Sequence, residues 1–486
     1  MRRISKVSSW LSWPLLALLG AGVAEAHDHI VPIEVRQSRD GAFNMGFVDV
    51  TVCNTAKQCK TVADVLVDTG SSGLRLNRHA LAGLPLSAVT DVKGRPLSNW
   101  SSFGTGQLWG TMHWAQVRLG GVATTQAIPI QLYQGPSLFE LLPAGYEKVD
   151  ERHQFLGLNN GILGIAPYRH WPKRYFAFDA GDESAFDAEW VAVEVDESRQ
   201  LANPIAYFPA PYDNGSVIKM PEADFGDGGH AALGWLGLGI GAATEALFPQ
   251  GARIISHELD AHGRFPATIG GRRADVLVDS GTNTSALDLE HLEIPRCKGL
   301  GTELNRVYDA APMTPLSLTV SAGAVEVELQ RPLYIGAAAN IRKAFDGYAV
   351  LPMIAALPPW AGAPNVLGLP FFYGRTVATG LRGAVNPYHG VVPPGLPSVA
   401  VDSQHSLNLD SARSSLDARS MTSLDLDSDE EPIGESIEAQ SDDHPTVGVA
   451  GDGSAGIPGA SIGHAAVAEG FEPYSNSPHG FIFYTD

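Results

Sequence analysis

The chain has 486 residues, of which 44% are hydrophobic, and it contains 53 glycines and 33 prolines. This length allows two domains with large cores, and the many turn-forming residues favour a protein rich in strands and turns. The formal net charge is −20 at pH 7. No basic patch offsets that charge, which excludes nucleic acid as an expected partner.

The first residues have the order that is typical of a secretory signal peptide. Three basic residues within the first six positions precede an apolar run over residues 10–23, and a short Ala-Glu-Ala sequence follows. This apolar run is too short for a comfortable membrane span. We therefore predict that residues 1–26 are a signal peptide. The mature protein is expected to be exported, to the periplasm or the extracellular space, without an integral membrane span.

The three cysteines are too few to build a disulfide scaffold. Cys53 and Cys59 lie between two β-rich runs, residues 48–52 and 61–67. In an oxidising compartment this arrangement favours a hairpin closed by a disulfide, and two unpaired buried thiols are the alternative. Cys297 is expected to be a buried free thiol.

One short stretch occurs twice. Residues 63–71 read ADVLVDTGS and residues 274–282 read ADVLVDSGT, so seven of the nine positions are identical. Each copy indicates an apolar strand that runs into a sharp turn, with Asp68 or Asp279 where the strand stops. The repeat predicts two lobes that each present one carboxylate.

A second pair of landmarks follows the first. An apolar pair ends at Gly164, 96 residues after Asp68, and another ends at Gly368, 89 residues after Asp279. Such small residues allow a close approach of another backbone, and two repeated landmarks in the same order support duplication. We predict an N-terminal lobe over residues 27–200, inter-lobe strands and the start of the second lobe over 201–265, and a C-terminal lobe over 266–392.

Other segments carry weaker signals. Residues 74–76 alternate as a strand does, and the Gly120-Gly121 and Gly270-Gly271 pairs predict hairpin turns. Residues 167–200 show weak periodicity, which indicates loops with short helical pieces. Two apolar segments, residues 203–208 and 233–240, are predicted to be strands that bridge the lobes.

The C-terminal part changes in composition. Residues 401–450 carry 12 acidic and 2 basic side chains, half of the negative excess of the whole chain. Residues 393–478 are therefore predicted to be a disordered acidic insertion, because they bury too little apolar surface to offset their ordering entropy. Residues 479–486 are strand-like, and we predict that they pair with residues 376–381 as the final strand of the C-terminal lobe.

The motif residues suggest a chemistry. Glycine permits the tight turn, and hydroxyls and exposed amides can hydrogen-bond the carboxylates. Two such aspartates within hydrogen-bonding reach share one proton, so one can act as general base on water while the other polarises a scissile carbonyl. No metal or organic cofactor is needed for this step. The predicted catalytic residues are Asp68 and Asp279, and the predicted supporting residues are Thr69, Gly70, Ser71, Ser280, Gly281 and Thr282.

These two motifs, with the paired glycine elements, resemble pepsin-like aspartic proteases. The resemblance implies an all-β, bilobal double β-barrel with both aspartates in a central cleft that takes peptide or protein substrates. Residues Phe103, Gly104, Thr105 and Gly106 resemble the flap hairpin that closes over substrate in that family. The family usually has a tyrosine at the position of Phe103, so the flap hydroxyl is missing, and Asn283 stands where a serine is more common.

A closer resemblance is to a bacterial family of exported proteins catalogued only as a domain of unknown function. Shared segments include residues 50–53, residues 67–75, Asn203-Pro204 and residues 368–375. This resemblance supports the fold and export, and it transfers no activity.

Three classes of function are compatible with these residues. The first is an exported aspartic endopeptidase, expected to be monomeric. The second is a non-catalytic pepsin-like protein of the cell envelope that binds peptides or proteins. The third is a glycosidase, although the paired carboxylates of glycosidases lie at least about 5 Å apart.

Overall fold

The computed structural model describes most of the chain between residues 29 and 486. The described residues are 29–39, 41–103, 106–133, 160–172, 174–179, 189–224, 228–242, 244–297, 306–322, 325–358, 362–384, 391–392 and 480–486. The predicted signal peptide, the predicted acidic insertion and the hairpin residues Gly104 and Thr105 lie outside them.

The described chain is mostly β, in agreement with the predicted class. Its two α-helices are single turns, α1 (Arg342–Phe345) and α2 (Leu369–Phe372). Short 3-10 segments occur at Arg78–Leu81, Glu197–Arg199, Pro204–Tyr207, Glu245–Leu247, Glu290–Leu292 and Ala338–Ile341. None of the helices in the described part of the chain has the length and apolar character that membrane spanning requires.

The strands are numbered along the chain. The first group comprises β1 (Ile30–Arg36), β2 (Met45–Cys53), β3 (Cys59–Asp68), β4 (Ser72–Asn77), β5 (Leu97–Phe103), β6 (Gly106–Leu119), β7 (Val122–Ala123), β8 (Ile128–Tyr133) and β9 (Gly161–Ile165). The second group comprises β10 (His170–Trp171), β11 (Tyr175–Asp179), β12 (Glu189–Val193), β13 (Leu201–Ala202), β14 (Gly215–Lys219), β15 (Ala232–Leu238) and β16 (Ile254–Glu258). The third group comprises β17 (Phe265–Ile269), β18 (Arg272–Val278), β19 (Ser285–Ala286), β20 (Thr314–Leu316), β21 (Leu318–Ala322), β22 (Val325–Glu328), β23 (Leu333–Ile335), β24 (Ala355–Ala356), β25 (Asn365–Leu367), β26 (Thr376–Gly380), β27 (Val391–Val392) and β28 (Phe481–Thr485).

Six of the described strands close into a barrel. The ring runs from β2 to β3, β9, β4, β8 and β6, and then back to β2. Side chains such as Val50, Val65, Leu74 and Ile130 are buried in one apolar cluster, because alternate residues of each strand face the inside of the closed sheet. This barrel carries the first aspartate.

The hairpin of β2 and β3 is closed by a disulfide. Its register ends with Cys53 opposite Cys59, and the two sulfurs are bonded. The disulfide predicted from the sequence is thus confirmed. Cys297 is buried and forms no disulfide within the described chain, in agreement with the prediction.

A second set of strands extends from the barrel. From β2 the pairing continues through β1, β15, β14, β26, β28 and β16, all antiparallel. In this set Val377 lies opposite Tyr484, so the C-terminal segment pairs with residues 376–380. The predicted pairing of the final strand is confirmed.

A separate sheet carries the second aspartate. Its seven strands in the described chain follow the order β22, β21, β17, β18, β25, β19 and β24. The turn between β17 and β18 is Gly270-Gly271, with φ values of 55° and 86°. These left-handed conformations suit glycine, and they form the predicted hairpin turn.

One secondary-structure prediction was correct in part and one was wrong. Residues 167–200 contain the short 3-10 segment Glu197–Arg199, as predicted, but they also hold the strands β10, β11 and β12, which the prediction missed. Aromatic side chains such as Phe176 and Trp190 pack in one cluster there and mask the strand alternation. Residues 203–208 form a 3-10 turn where a strand was predicted. The Asn203 side chain accepts a bond from the Ile205 amide and caps that turn.

Candidate active site

The two copies of the repeated stretch form strands that become buried toward their ends. The last four residues of β3 and the last three of β18 are buried, whereas both strands begin exposed. Asp68 ends β3 and Asp279 directly follows β18, and both side chains are fully buried. The apolar ends of the strands thus carry the two carboxylates into the interior.

The Asp68 carboxylate is held by its own turn. The Gly70 amide donates to Oδ1 at 2.8 Å, and the Ser71 hydroxyl donates to Oδ2 at 2.5 Å. Bonds of this kind stabilise a carboxylate that has lost its water.

Asp279 has the matching pair of bonds. The Gly281 amide donates to Oδ1 at 2.9 Å and the Thr282 hydroxyl donates to Oδ2 at 2.6 Å. Burial raises the pKa of Asp279 well above its ordinary value, and the neighbouring charge of Asp68 and a hydrogen bond with that carboxyl raise it further. Burial and the neighbouring carboxyl group thus both favour the protonated form of Asp279.

The two turns are tied to each other by Thr69 and Ser280. The Thr69 hydroxyl donates to the Val278 carbonyl at 3.0 Å, and the Ser280 hydroxyl donates to the Val67 carbonyl at 2.8 Å. Each hydroxyl oxygen also accepts from the amide of the other residue, at 2.9 Å for Thr69 and 3.2 Å for Ser280. This reciprocal set fixes the spacing of the two turns.

Glycines permit close approach at the site. A Cβ on Gly70 would lie 2.5 Å from Cγ of Asp279, so the turn touches the opposite carboxylate. Behind the turns, a Cβ on Gly164 would lie 2.8 Å from the Ser71 carbonyl oxygen, and one on Gly368 would lie 2.5 Å from that of Thr282. The close backbone approach expected at these two glycines is present.

The predicted flap hairpin is formed by β5 and β6, with Phe103 opposite Gly106. The Phe103 side chain is 5% exposed and packs in an apolar cluster with Met45, Phe47 and Leu66. Phe103 thus contributes packing at this position. Its neighbours Gly104 and Thr105 are outside the described residues.

Sequence reasoning missed Arg75, which is fully buried next to the first turn. The alternation of residues 74–76 predicts a strand with one polar face, and β4 is indeed a strand, but both of its faces are covered. The guanidinium lies 5.4 Å from the ring centroid of Phe103 and 4.9 Å from that of Trp171. The one signal in the sequence is that the second copy has Ala286 at the matching position, seven residues after its aspartate.

Metal ligands are not grouped in the described parts of the chain: no cluster of three or more His, Cys, Asp or Glu side chains there could hold an ion.

The fold and site define a mostly β protein in which two duplicated turns bring two buried aspartates together. The chain belongs to the family described as "Protein of unknown function (DUF3443)", which matches residues 25–392. This confirms the family expected from the sequence. Among solved structures, the chain is similar to the aspartic proteinase from Irpex lacteus, at 16% identity and a TM-score of 0.43, over 76% of this chain and 99% of that chain. A comparison with curated proteins found no match.

Proposed function

We propose that the protein is an exported aspartic endopeptidase, which hydrolyses peptide bonds with a water activated between Asp68 and Asp279. The observation that carries this proposal is the pair of fully buried carboxyl groups, each held by one of two duplicated turns that are hydrogen-bonded to each other. Two like charges this close cannot both ionise easily, so the pair keeps one proton.

The two aspartates would then have different roles, one as general base and one as general acid. Ionised Asp68 takes a proton from the water as its oxygen attacks the carbonyl carbon, and Asp279 donates its proton to the carbonyl oxygen, which gives a tetrahedral diol. Because the pKa of Asp279 is raised, the singly protonated pair persists above the ordinary titration range of aspartate. Activity is expected from acidic pH upward until Asp279 ionises.

The proposal also covers the fold, the cover over the substrate, the export and the oligomeric state. The barrel and the seven-stranded sheet would form the two lobes of a pepsin-like double β-barrel, with peptide bound in the cleft between them. The hairpin of β5 and β6 would cover the substrate, and the N-terminal sequence would direct export to the periplasm or the extracellular space. The protein would act as a monomer.

A second candidate function is peptide or protein binding without catalysis in the cell envelope. Phe103 favours it, because this residue packs in an apolar cluster and offers no hydroxyl to a substrate network. The glycosidase hypothesis loses support, because the two aspartate turns are hydrogen-bonded to each other and Gly70 lies against the Asp279 carboxylate, whereas the paired carboxyl groups of glycosidases need a separation of at least about 5 Å.

A peptide-library digest across acidic to neutral pH tests the proposal. The wild type should cleave, and Asp68→Asn should lose at least about 100-fold in rate, since a general base contributes that much or more. Asp275→Asn is the matched control, because this aspartate lies in the same repeated stretch and is exposed. Binding of a statine-type peptide without any cleavage would favour the second candidate.

A further inference from the structure

We propose that the chain itself closes one end of the peptide site, so that the protein cuts only those peptide bonds that lie near one terminus of its substrate. The closing element is the bridging segment, residues 42–45, at the start of β2. The inference rests on the proposed function, because it names a substrate class for the same site: peptides with a free end. It narrows the proposed endopeptidase activity to bonds close to that end.

The bridging segment is bound to the residues that follow the second aspartate turn. Nδ2 of Asn44 donates to the carbonyl oxygens of Asn283 at 2.8 Å and Leu351 at 2.9 Å, and Oδ1 accepts from the Leu351 amide at 2.9 Å. The Tyr373 hydroxyl also donates to Oδ1, at 2.9 Å, and the Asn44 backbone amide donates to the Ala349 carbonyl oxygen at 2.6 Å. The Asn44 side chain thus uses both of its donors and accepts two bonds, which fixes the segment in place.

The other side chains of the bridging segment fill two apolar clusters. Phe43 belongs to the cluster around Ile341, on the side of the second aspartate. Ala42 and Met45 belong to the cluster of the predicted flap residue Phe103, on the side of the first aspartate. All four residues of the segment are 0% exposed. A groove that continued past the segment would expose at least one of them, so the space between the two sides ends there.

This closed end lies near the carboxyl pair. The Thr282 hydroxyl donates to Asp279, and the next residue, Asn283, accepts from Asn44. The covalent and hydrogen bonds along this path keep Nδ2 of Asn44 within about 14 Å of the Asp279 carboxylate. An extended peptide advances by about 3.3 Å per residue, so about four residues fit between the bond that is cut and the bridging segment. A longer peptide must place its terminus at the segment and extend in the other direction.

Thiol labelling tests the closure without any turnover. Met45→Cys should react with the thiol reagent dithionitrobenzoate at least about 100-fold more slowly than Val92→Cys, because a buried thiol is inert until the fold opens. Val92 is 80% exposed, and the wild type gives the background reaction of Cys297. Ala42→Cys replaces Met45→Cys if that variant does not fold. Labelling at similar rates in the segment and at position 92 would overturn the closure.

A digest of two matched peptides tests the substrate class. One peptide is linear and the other is its head-to-tail cyclic form, each of about 20 Gly- and Ser-rich residues with apolar residues interspersed, so that the ring stays flexible. In the linear peptide, every cut should release a fragment of about four residues or fewer from the same terminus. The cyclic peptide has no terminus and should remain uncut.

A variant of the bridging segment should relax this restriction. Asn44 has a left-handed backbone with φ of 51°, so Asn44→Gly keeps that conformation and removes the side-chain bonds to the second aspartate side. Its products should include longer fragments, and it should cut the cyclic peptide. Glu293→Gly is the matched control, because Glu293 has φ of 53° and is exposed. If Asn44→Gly does not fold, Phe43→Leu, which shortens the neighbouring side chain, takes its place.

Cuts by the wild type at any distance from the termini, or in the cyclic peptide, would overturn the inference, and so would identical products from Asn44→Gly and Glu293→Gly. Slow labelling of Met45→Cys without cleavage of any peptide would contradict the proposed function and support the closure. The failure of one proposal is therefore distinguishable from failure of the other.

Discussion

Gly70 explains at the scale of one residue why the repeated motif needs glycine after its Asp-Thr pair. The sequence suggests glycine for the tight turn, and the structure adds a second reason, since a Cβ there would lie 2.5 Å from Cγ and 2.6 Å from Oδ2 of Asp279. Real Cβ atoms do not make such contacts, so any side chain at position 70 must displace the opposite carboxylate.

We expect Gly70→Ala to abolish peptide cleavage and to lower the free energy of unfolding by about 1–3 kcal/mol, the usual range for overpacking a core. Urea unfolding and a cleavage assay would measure the two effects. Gly229→Ala is the control, because a Cβ there has ordinary contacts of 3.7 Å or more. A Gly70→Ala protein with normal stability and activity would show that the turns do not touch as described.

The final strand, β28, shows how an element distant in sequence completes the fold. It lies between β26 and β16 and hydrogen-bonds to both. Its side chains Phe481, Phe483 and Tyr484 are at most 1% exposed. The sequence predicts this pairing from the apolar pattern alone, because a short apolar run after a long acidic segment needs a partner strand to bury it.

Deletion of residues 479–486 should lower Tm by at least about 10 °C, because truncation of a single buried aromatic side chain already costs about 3–5 kcal/mol. Phe483→Ala is the milder variant if the deletion does not fold. Deletion of eight residues of the acidic segment, 425–432, is the length-matched control and should leave Tm unchanged. An unaltered Tm after loss of β28 would contradict its role in the sheet.

Contacts between the sheets decide the arrangement of the whole molecule. Asn44 lies just before β2. Its side-chain Nδ2 donates to the backbone carbonyl oxygens of Asn283 and Leu351, and its side-chain Oδ1 accepts from the Tyr373 hydroxyl. Asn44 adopts a left-handed backbone with φ of 51° and is fully buried. It joins the barrel side to the residues that follow the second aspartate.

His257 makes a second connection between sheets. Its ring on β16 donates from Nδ1 to the Ser321 carbonyl of β21 at 3.0 Å, and its Nε2 accepts from the Tyr484 hydroxyl of β28 at 3.1 Å. Burial lowers the pKa of His257 to about 4, against a weaker opposing effect of the bond to Ser321. The neutral ring is therefore the form that the fold requires.

This pKa makes the stability depend on pH. Above a pH of about 6.5, His257 is neutral in both the folded and the unfolded protein. Between pH of about 6.5 and 4, His257 is protonated in the unfolded chain and neutral in the folded protein. The free energy of unfolding should therefore fall by up to about 3 kcal/mol over this interval as pH decreases.

His257→Gln keeps a hydrogen-bond donor and an acceptor. It should reduce the slope of the unfolding free energy against pH by the amount that corresponds to one bound proton. His79→Gln, at an exposed histidine, should retain the wild-type slope. Urea unfolding at several pH values measures both slopes, and identical slopes for the two variants would contradict the prediction.

The sequence by itself determined the local features of this protein. The duplicated Asp68 and Asp279 turns, the disulfide of Cys53 and Cys59 and the final strand could be predicted, because each depends on residues close in sequence or on a pattern that repeats. Strand periodicity failed in residues 167–200, where aromatic packing on neighbouring strands replaces alternation.

Only the tertiary structure decided the environment of the site. The six-strand ring closure, the burial of Arg75 between two aromatic rings and the connections through Asn44 and His257 all join residues that are far apart in the chain. Burial removes water from both sides of a strand, and it encloses Arg75, whose guanidinium hydrogen-bonds to the Ser72 and Gly73 carbonyls after the first aspartate turn. Charge and burial at the aspartate pair thus depend on long-range packing, which no local pattern encodes.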